Sequence, residues 1–204
     1  ECDQIYYFEP ATAQMDKQPP QLISTGMGRT TCSYFMPGDT TILFASTHAG
    51  DHSCPHVPPP REDGKYVWPI YDDYDIYVAD LQGNIIDTLT SDPGYDAEAT
   101  VSPNGDKIVF TSLRTGDLEL FLMNPDGSGV EQLTDEPGYD GGAFFSHDGT
   151  KLVFRVPAPA VRTISPMPSG ISSTLMASRT RFRSSPSILR ETPPARGLLG
   201  MRTM

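Results

Sequence analysis

Four side chains capable of metal chemistry crowd into nine residues: His48, His52, Cys54 and His56. Three imidazoles and a thiolate match the number of ligands zinc takes. Their spacing, H-x3-H-x-C-x-H, matches no compact zinc motif, and a disulfide at Cys54 would remove the thiolate. A polar loop accounts for the same residues, and no metal is expected there. A second group is carboxylate-rich. Tyr95 and Asp96, with Glu98 two residues on, recur 44 residues later as Tyr139 and Asp140, each time after Pro-Gly. Clustered carboxylates suit a hard cation or a basic peptide. Pro-Gly forming a turn, with Asp bonding backbone N–H groups, explains them equally. Upstream, the corresponding stretch is Met27-Gly28-Arg29-Thr30. Arg29 there pairs with an acid or meets an anionic group, and it breaks any ring of equivalent carboxylates. No nucleophile elbow, phosphate loop or dinucleotide loop is present in the sequence, so neither catalysis nor a cofactor is expected from this chain.

The elements that must position these residues come from a repeat. Residues 75–110 and 119–154 align without a gap at an offset of 44, and 13 of 36 positions are identical. A third copy lies upstream, with Ile5 and Tyr6 on Leu120 and Phe121, Ile23 on Leu133 and Phe35 on Phe145. It is separated from the second by 22 extra residues within 46–74. DIYVAD and ELFLMN alternate and are rich in β-branched and aromatic residues, as strands are. Gly83 and Asp126-Gly127 supply tight turns. Further strands end at Leu-Thr and at Val101 or Phe145, and the last reads KIVFTS or KLVFRV. Four short strands per 44 residues is the β-propeller blade pattern. The expectation is an all-β, incomplete propeller over 1–155, with blades of four antiparallel strands.

Charge divides the chain. The 204 residues carry 15 Lys+Arg against 26 Asp+Glu, a net charge of −11. Residues 1–155 have net −17, while 156–204 have net +6 and draw 22 of 49 residues from Arg, Ser and Pro. The acidic part argues against a nucleic-acid partner, which clustered Lys and Arg would serve. No apolar run reaches the roughly 20 residues of a membrane-crossing helix. The tail reads as a disordered basic segment or as an out-of-frame translation, and is expected to hold no core.

At SPNGDKIVFTS, DLELFLMNPDGSGVEQLT and SHDGTKLVF the chain resembles the TolB-like propeller repeat family. That resemblance covers residues 2–155 and implies six or seven blades in a bacterial cell-envelope protein, periplasmic or secreted. It implies a non-catalytic scaffold that binds protein or peptide partners through rim loops, here Arg29, Tyr95, Asp96, Glu98, Tyr139 and Asp140. Similar blades form the lid of prolyl-oligopeptidase-type serine peptidases, which is the alternative. Three blades fall short of a closed ring, so the chain reads as a fragment whose exposed blade edges would self-associate. By the blade alignment Cys32 falls in a rim loop before a strand, and Cys54 follows that blade's last strand. Cys32 pairs with Cys54 if the insertion folds back; Cys2 is its other candidate partner, and three reduced thiols is the remaining reading. Tyr66, Trp68, Tyr71 and Tyr74 pack the 46–74 insertion onto its blade or form a recognition surface.

Overall fold

A computed structural model of the chain describes residues 2–9, 19–64 and 68–156. Within them are twelve strands. β1 (Tyr6–Tyr7) pairs with β2 (Gln21–Leu22). Then β3 (Thr30–Phe35), β4 (Thr41–Ser46), β5 (Asp75–Asp80) and β6 (Ile85–Thr88) form one antiparallel sheet in chain order. β7 (Asp96–Val101), β8 (Ile108–Ser112), β9 (Glu119–Met123) and β10 (Glu131–Gln132) form another. β11 (Gly141–Phe145) and β12 (Leu152–Arg155) close the described chain as a two-stranded sheet. The blades of an incomplete propeller are therefore present as expected. Each full blade starts at the strand after the Pro-Gly turn or its Met27-Gly28 equivalent, out of phase with the sequence repeat.

The middle strands of the two four-stranded sheets carry apolar residues on both faces because those sheets are covered on both sides. Ile108, Phe110, Phe121 and Met123 pack against Leu43, Ile76 and Val78 of the first full blade. Their neighbours Val109, Leu120 and Leu122 pack the other way, against Ala143 and Leu152. Alternation thus survives as a choice between two apolar faces rather than between core and water. The outermost strand, β6, is exposed along its whole length.

The recurrent Leu-Thr has a specific use. Leu89 and Leu133 are buried, and their N–H groups donate to Ile76 O and Leu120 O, each at 2.8 Å. The next hydroxyls, Thr90 Oγ1 and Thr134 Oγ1, accept from Ile76 N and Leu120 N at 2.9 Å. The threonine side chain replaces a ladder partner where the outer strand has ended, so no buried N–H is left unsatisfied. Gly127 has a positive φ of 80°, and a Cβ there would lie 2.6 Å from Leu89 O. The hairpin turn of one blade thus abuts the preceding blade's backbone, which only glycine permits.

The inner strands β3, β7 and β11 each carry a bulge, between Thr31/Tyr34, Ala97/Thr100 and Gly141/Phe144. The extra residue adopts a left-handed backbone in all three: Cys32 at φ 52°, Glu98 at 57° and Gly142 at 62°. Ser102 and Ser146 cap SPNGDK and SHDGTK by accepting from Lys107 N and Lys151 N at 3.0 Å.

Candidate functional site

In the Pro-Gly-Tyr-Asp segments the prolines face solvent, while Tyr95, Asp96 and Asp140 turn inward. β7 begins at Asp96, so Asp96 and Glu98 are strand residues; Tyr95 and Asp96 are each 2% exposed and Asp140 is fully buried. Asp96 accepts from the Arg114 guanidinium at 2.9 Å. Arg114 in turn lies over the rings of Phe110 and Phe121, 5.2 Å from each centroid. Sequence reading passed over Arg114. Its one signal is that it is the sole cation between Lys107 and Lys151, opposite a run of carboxylates. A paired, desolvated charge is the form in which a buried aspartate is tolerated.

Asp75 belongs to the same cluster. It accepts from Thr90 Oγ1 at 3.1 Å, and burial, with the nearby charges of Asp96, Asp73 and Asp92, raises its carboxyl to about 6. A carboxyl raised on folding makes the native state bind the extra proton. Its stabilising contribution is complete below the unfolded value of 3.8 and is lost as pH rises through about 6. Asp75→Asn is expected to flatten the stability profile between pH 4 and 6 relative to the unaltered chain, read as the urea midpoint at each pH. An unchanged slope over that window contradicts the assignment.

Glu98 joins two blades. Its Oε2 accepts from Thr111 Oγ1 at 2.8 Å, Tyr139 Oη at 2.6 Å and Gly142 N at 2.8 Å. Tyr139 is further covered by Arg155, whose guanidinium stands 4.5 Å from the ring centroid. Burial, followed by the Glu98 charge, pushes the Tyr139 phenol far up, so it serves as a donor at any ordinary pH. Arg29 pairs with Asp3 at 2.6 Å. Tyr95, Asp96 and Asp140 are thus buried, Glu98 and Tyr139 bond each other between two blades, and Arg29 is paired with the exposed Asp3.

The insertion is strapped down at several points. Cys54 is bonded to Cys2, with Cα atoms 5.5 Å apart, and Cys32 is a free thiol. The expected Cys32–Cys54 pairing, and the Cys2–Cys32 alternative, are both replaced. Cys32 lies inside β3 at the bulge, not in a loop, whereas Thr30 N donates to Asp3 O at 3.0 Å and draws Cys2 toward the insertion. Gly28 N donates to His52 O at 2.9 Å, and Tyr71 Oη to His56 O at 2.9 Å. Tyr74 stacks edge-on against Tyr95 at 5.6 Å and meets Tyr71 at 6.0 Å. His48 stacks on Tyr77 at 4.4 Å and bonds Ser46 Oγ at 2.9 Å. Among the described residues no group of three or more His, Cys, Asp and Glu side chains is arranged for a metal ion.

Of the four insertion aromatics, Tyr71 and Tyr74 are anchors, while Trp68 is 50% exposed and Val57 53%. Tyr66 lies outside the described residues, as does the tail from residue 157. Elsewhere, a cleft of about 580 Å³ separates β1 from the ends of β3 and β7, lined by Tyr6, Phe8, Tyr34, Phe35 and Pro103 among others.

The family model that matches is the TolB beta propeller domain, over residues 66–194. Two solved structures are similar. One is described as "The structure of putative TolB from Agrobacterium tumefaciens", with 26% identity over 66% of this chain and 40% of that chain, at TM-score 0.47. The other is "Crystal structure of TolB from Acinetobacter baumannii", with 21% identity over 71% of this chain and 31% of that chain, at TM-score 0.48. The chain therefore spans well under half the length of these relatives. No curated protein matches it significantly. By the span of the family match and by its blades, this chain belongs to the TolB β-propeller domain family.

Proposed function

We propose that the chain is a non-catalytic propeller scaffold of the bacterial cell envelope that binds a protein or peptide partner across its 46–74 insertion. The observation that carries this reading is the half-exposed Trp68 on a loop held by the Cys2–Cys54 bond and by Tyr71 and Tyr74. A large aromatic side chain on a pre-organised support loses little conformational freedom on binding, and such residues dominate interface energetics. Long loops that are ordered rather than idle are more often functional. The reading centres on the insertion because Tyr95, Asp96 and Asp140 are buried, whereas Trp68 is exposed. An envelope or otherwise oxidising location accords with the disulfide.

The test is selection of displayed peptides on the intact chain, followed by affinity measurement. Trp68→Ala is expected to weaken the selected peptides at least tenfold, about 1.4 kcal/mol. Ile86→Ala, at a side chain 58% exposed on β6, is expected to leave them unchanged. Equal affinities for the unaltered chain and Trp68→Ala would overturn the reading.

A further inference from the structure

The Trp68 surface borders carboxylates that the fold gathers and leaves uncompensated. Ile70 and Tyr71 pack against the buried cluster of Tyr74, Tyr95 and Leu113, which pegs the end of the insertion to its blade. The residues on either side of that peg face water: Trp68 before it, Asp72 and Asp73 after it. Tyr74 N donates to Tyr71 O, so the two aspartates are the corner residues of a tight turn. Two further loops meet this turn. Gly94 N donates to Asp72 O at 3.1 Å, which brings the 91–94 loop and its exposed Asp92 alongside. A Cβ on Gly50 would fall 2.5 Å from the Asp73 carboxyl carbon, so the 47–51 turn, which ends in exposed Asp51, stands on the other side.

Cations are scarce there. Arg114 is shared between buried Asp96 at 2.9 Å and Asp92 at 3.4 Å. Arg61 is held on two nitrogens by Asp63, each at 2.9 Å. Among the described residues Asp51, Asp72 and Asp73 have no Lys or Arg partner. Turn formation accounts for Asp51 and Asp80, whose carboxylates accept from backbone N–H groups. The side chains of Asp72 and Asp73 make no such bond among the described residues. Their charge is felt inside the blade, since Asp73 and Asp92 are among the groups that raise the Asp75 carboxyl. Like charges held together repel one another and draw in an opposite charge.

We infer, building on the Trp68 reading, that the segment this surface takes is a cationic peptide, with an apolar side chain on Trp68 and Lys or Arg side chains on Asp72, Asp73 and Asp51. An Arg guanidinium suits both parts, because it forks onto carboxylates and stacks on an indole face. The exposed aspartates set the speed and selectivity of docking, and burial of the indole sets its lifetime.

Trp68 is the one tryptophan of the chain, so its emission reports occupancy of this surface directly. A Trp-free library of displayed peptides is selected on the full chain, and recovered peptides that change this emission are kept. They should be enriched in Lys and Arg over the library. Replacing those Lys and Arg by Gln should weaken binding at least tenfold, and raising the salt from about 50 to 500 mM should remove most of the difference. Asp72→Asn/Asp73→Asn should weaken the cationic peptides about fivefold and leave their Gln versions unchanged. Asp87→Asn/Glu131→Gln removes the same charge from exposed positions on β6 and β10 and should leave both nearly unchanged. Emission-changing peptides with no excess of Lys and Arg, or equal losses from the two double variants, would overturn the cationic partner and leave the Trp68 reading standing. If no recovered peptide changes the emission, the Trp68 reading fails and this inference with it. Emission that varies with protein concentration alone assigns the surface to a second copy and overturns the inference.

Discussion

Cys54→Ser is expected to lower stability by about 4 kcal/mol, the loop-closure value for a bridge spanning roughly 50 residues. The bond joins Cys2 to Cys54 across a separation of 52 and ties the segment before β1 to the insertion. Urea denaturation of the unaltered chain with and without reductant should show the same loss. Cys32→Ser, at the free thiol, should show almost none. Equal midpoints for Cys54→Ser and Cys32→Ser would mean that the strap contributes nothing. The consequence for recognition is direct. Once the bond is gone, Trp68 is presented on a loop held mainly by Tyr71 and Tyr74, and ordering that loop must then be offset by binding.

The second large effect is expected at Glu98. Glu98→Ala removes one carboxylate oxygen that accepts from Thr111, Tyr139 and Gly142 at once. Hydrogen bonds to a charged group contribute about 1.5–3 kcal/mol, and unsatisfied buried donors add to the loss. A net destabilisation of about 3 kcal/mol follows, concentrated on β11 and β12. Hydrogen exchange there should accelerate well before that of β4 and β5. Glu98→Gly separates contact from backbone: φ 57° costs a non-glycine residue about 1 kcal/mol, so glycine should lose less than alanine yet still lose. If Glu98→Gly proves more stable than the unaltered chain, backbone strain rather than the inter-blade carboxylate governs this position.

Much of the blade was legible because the repeat carries its own register. The 44-residue offset placed β5 on β9 and β8 on β12, and the upstream copy put Ile5 on Leu120 as the hydrogen bonds now show. What remained hidden was which strand leads a blade. Pro-Gly-Tyr-Asp reads as a loop, yet the chain turns into β7 already at Asp96. Glu98 therefore passes from loop to bulge, and nothing local in Ala-Glu-Ala announces a left-handed residue. Its counterpart Gly142 does announce one, and Cys32 stands at the third equivalent site. The fate of Asp96 depended on Arg114, eighteen residues distant in sequence and across a strand pair. The cysteine pairing depended on contacts that bring Asp3 to the start of β3, the backbone bond from Thr30 and the ion pair with Arg29 among them. Contacts of this kind are fixed by tertiary geometry, which spacing along the chain does not encode.

The most direct test of the account is photo-crosslinking from position 68. A photoreactive aromatic residue replaces Trp68 in one variant and Ile86, an equally exposed side chain on β6, in another. Both are exposed to a bacterial envelope extract and irradiated. A scaffold that recognises its partner through the strapped insertion predicts a discrete adduct from position 68, absent from position 86 and lost on reduction of the Cys2–Cys54 bond. No adduct at position 68, or the same adducts at both positions, would contradict it.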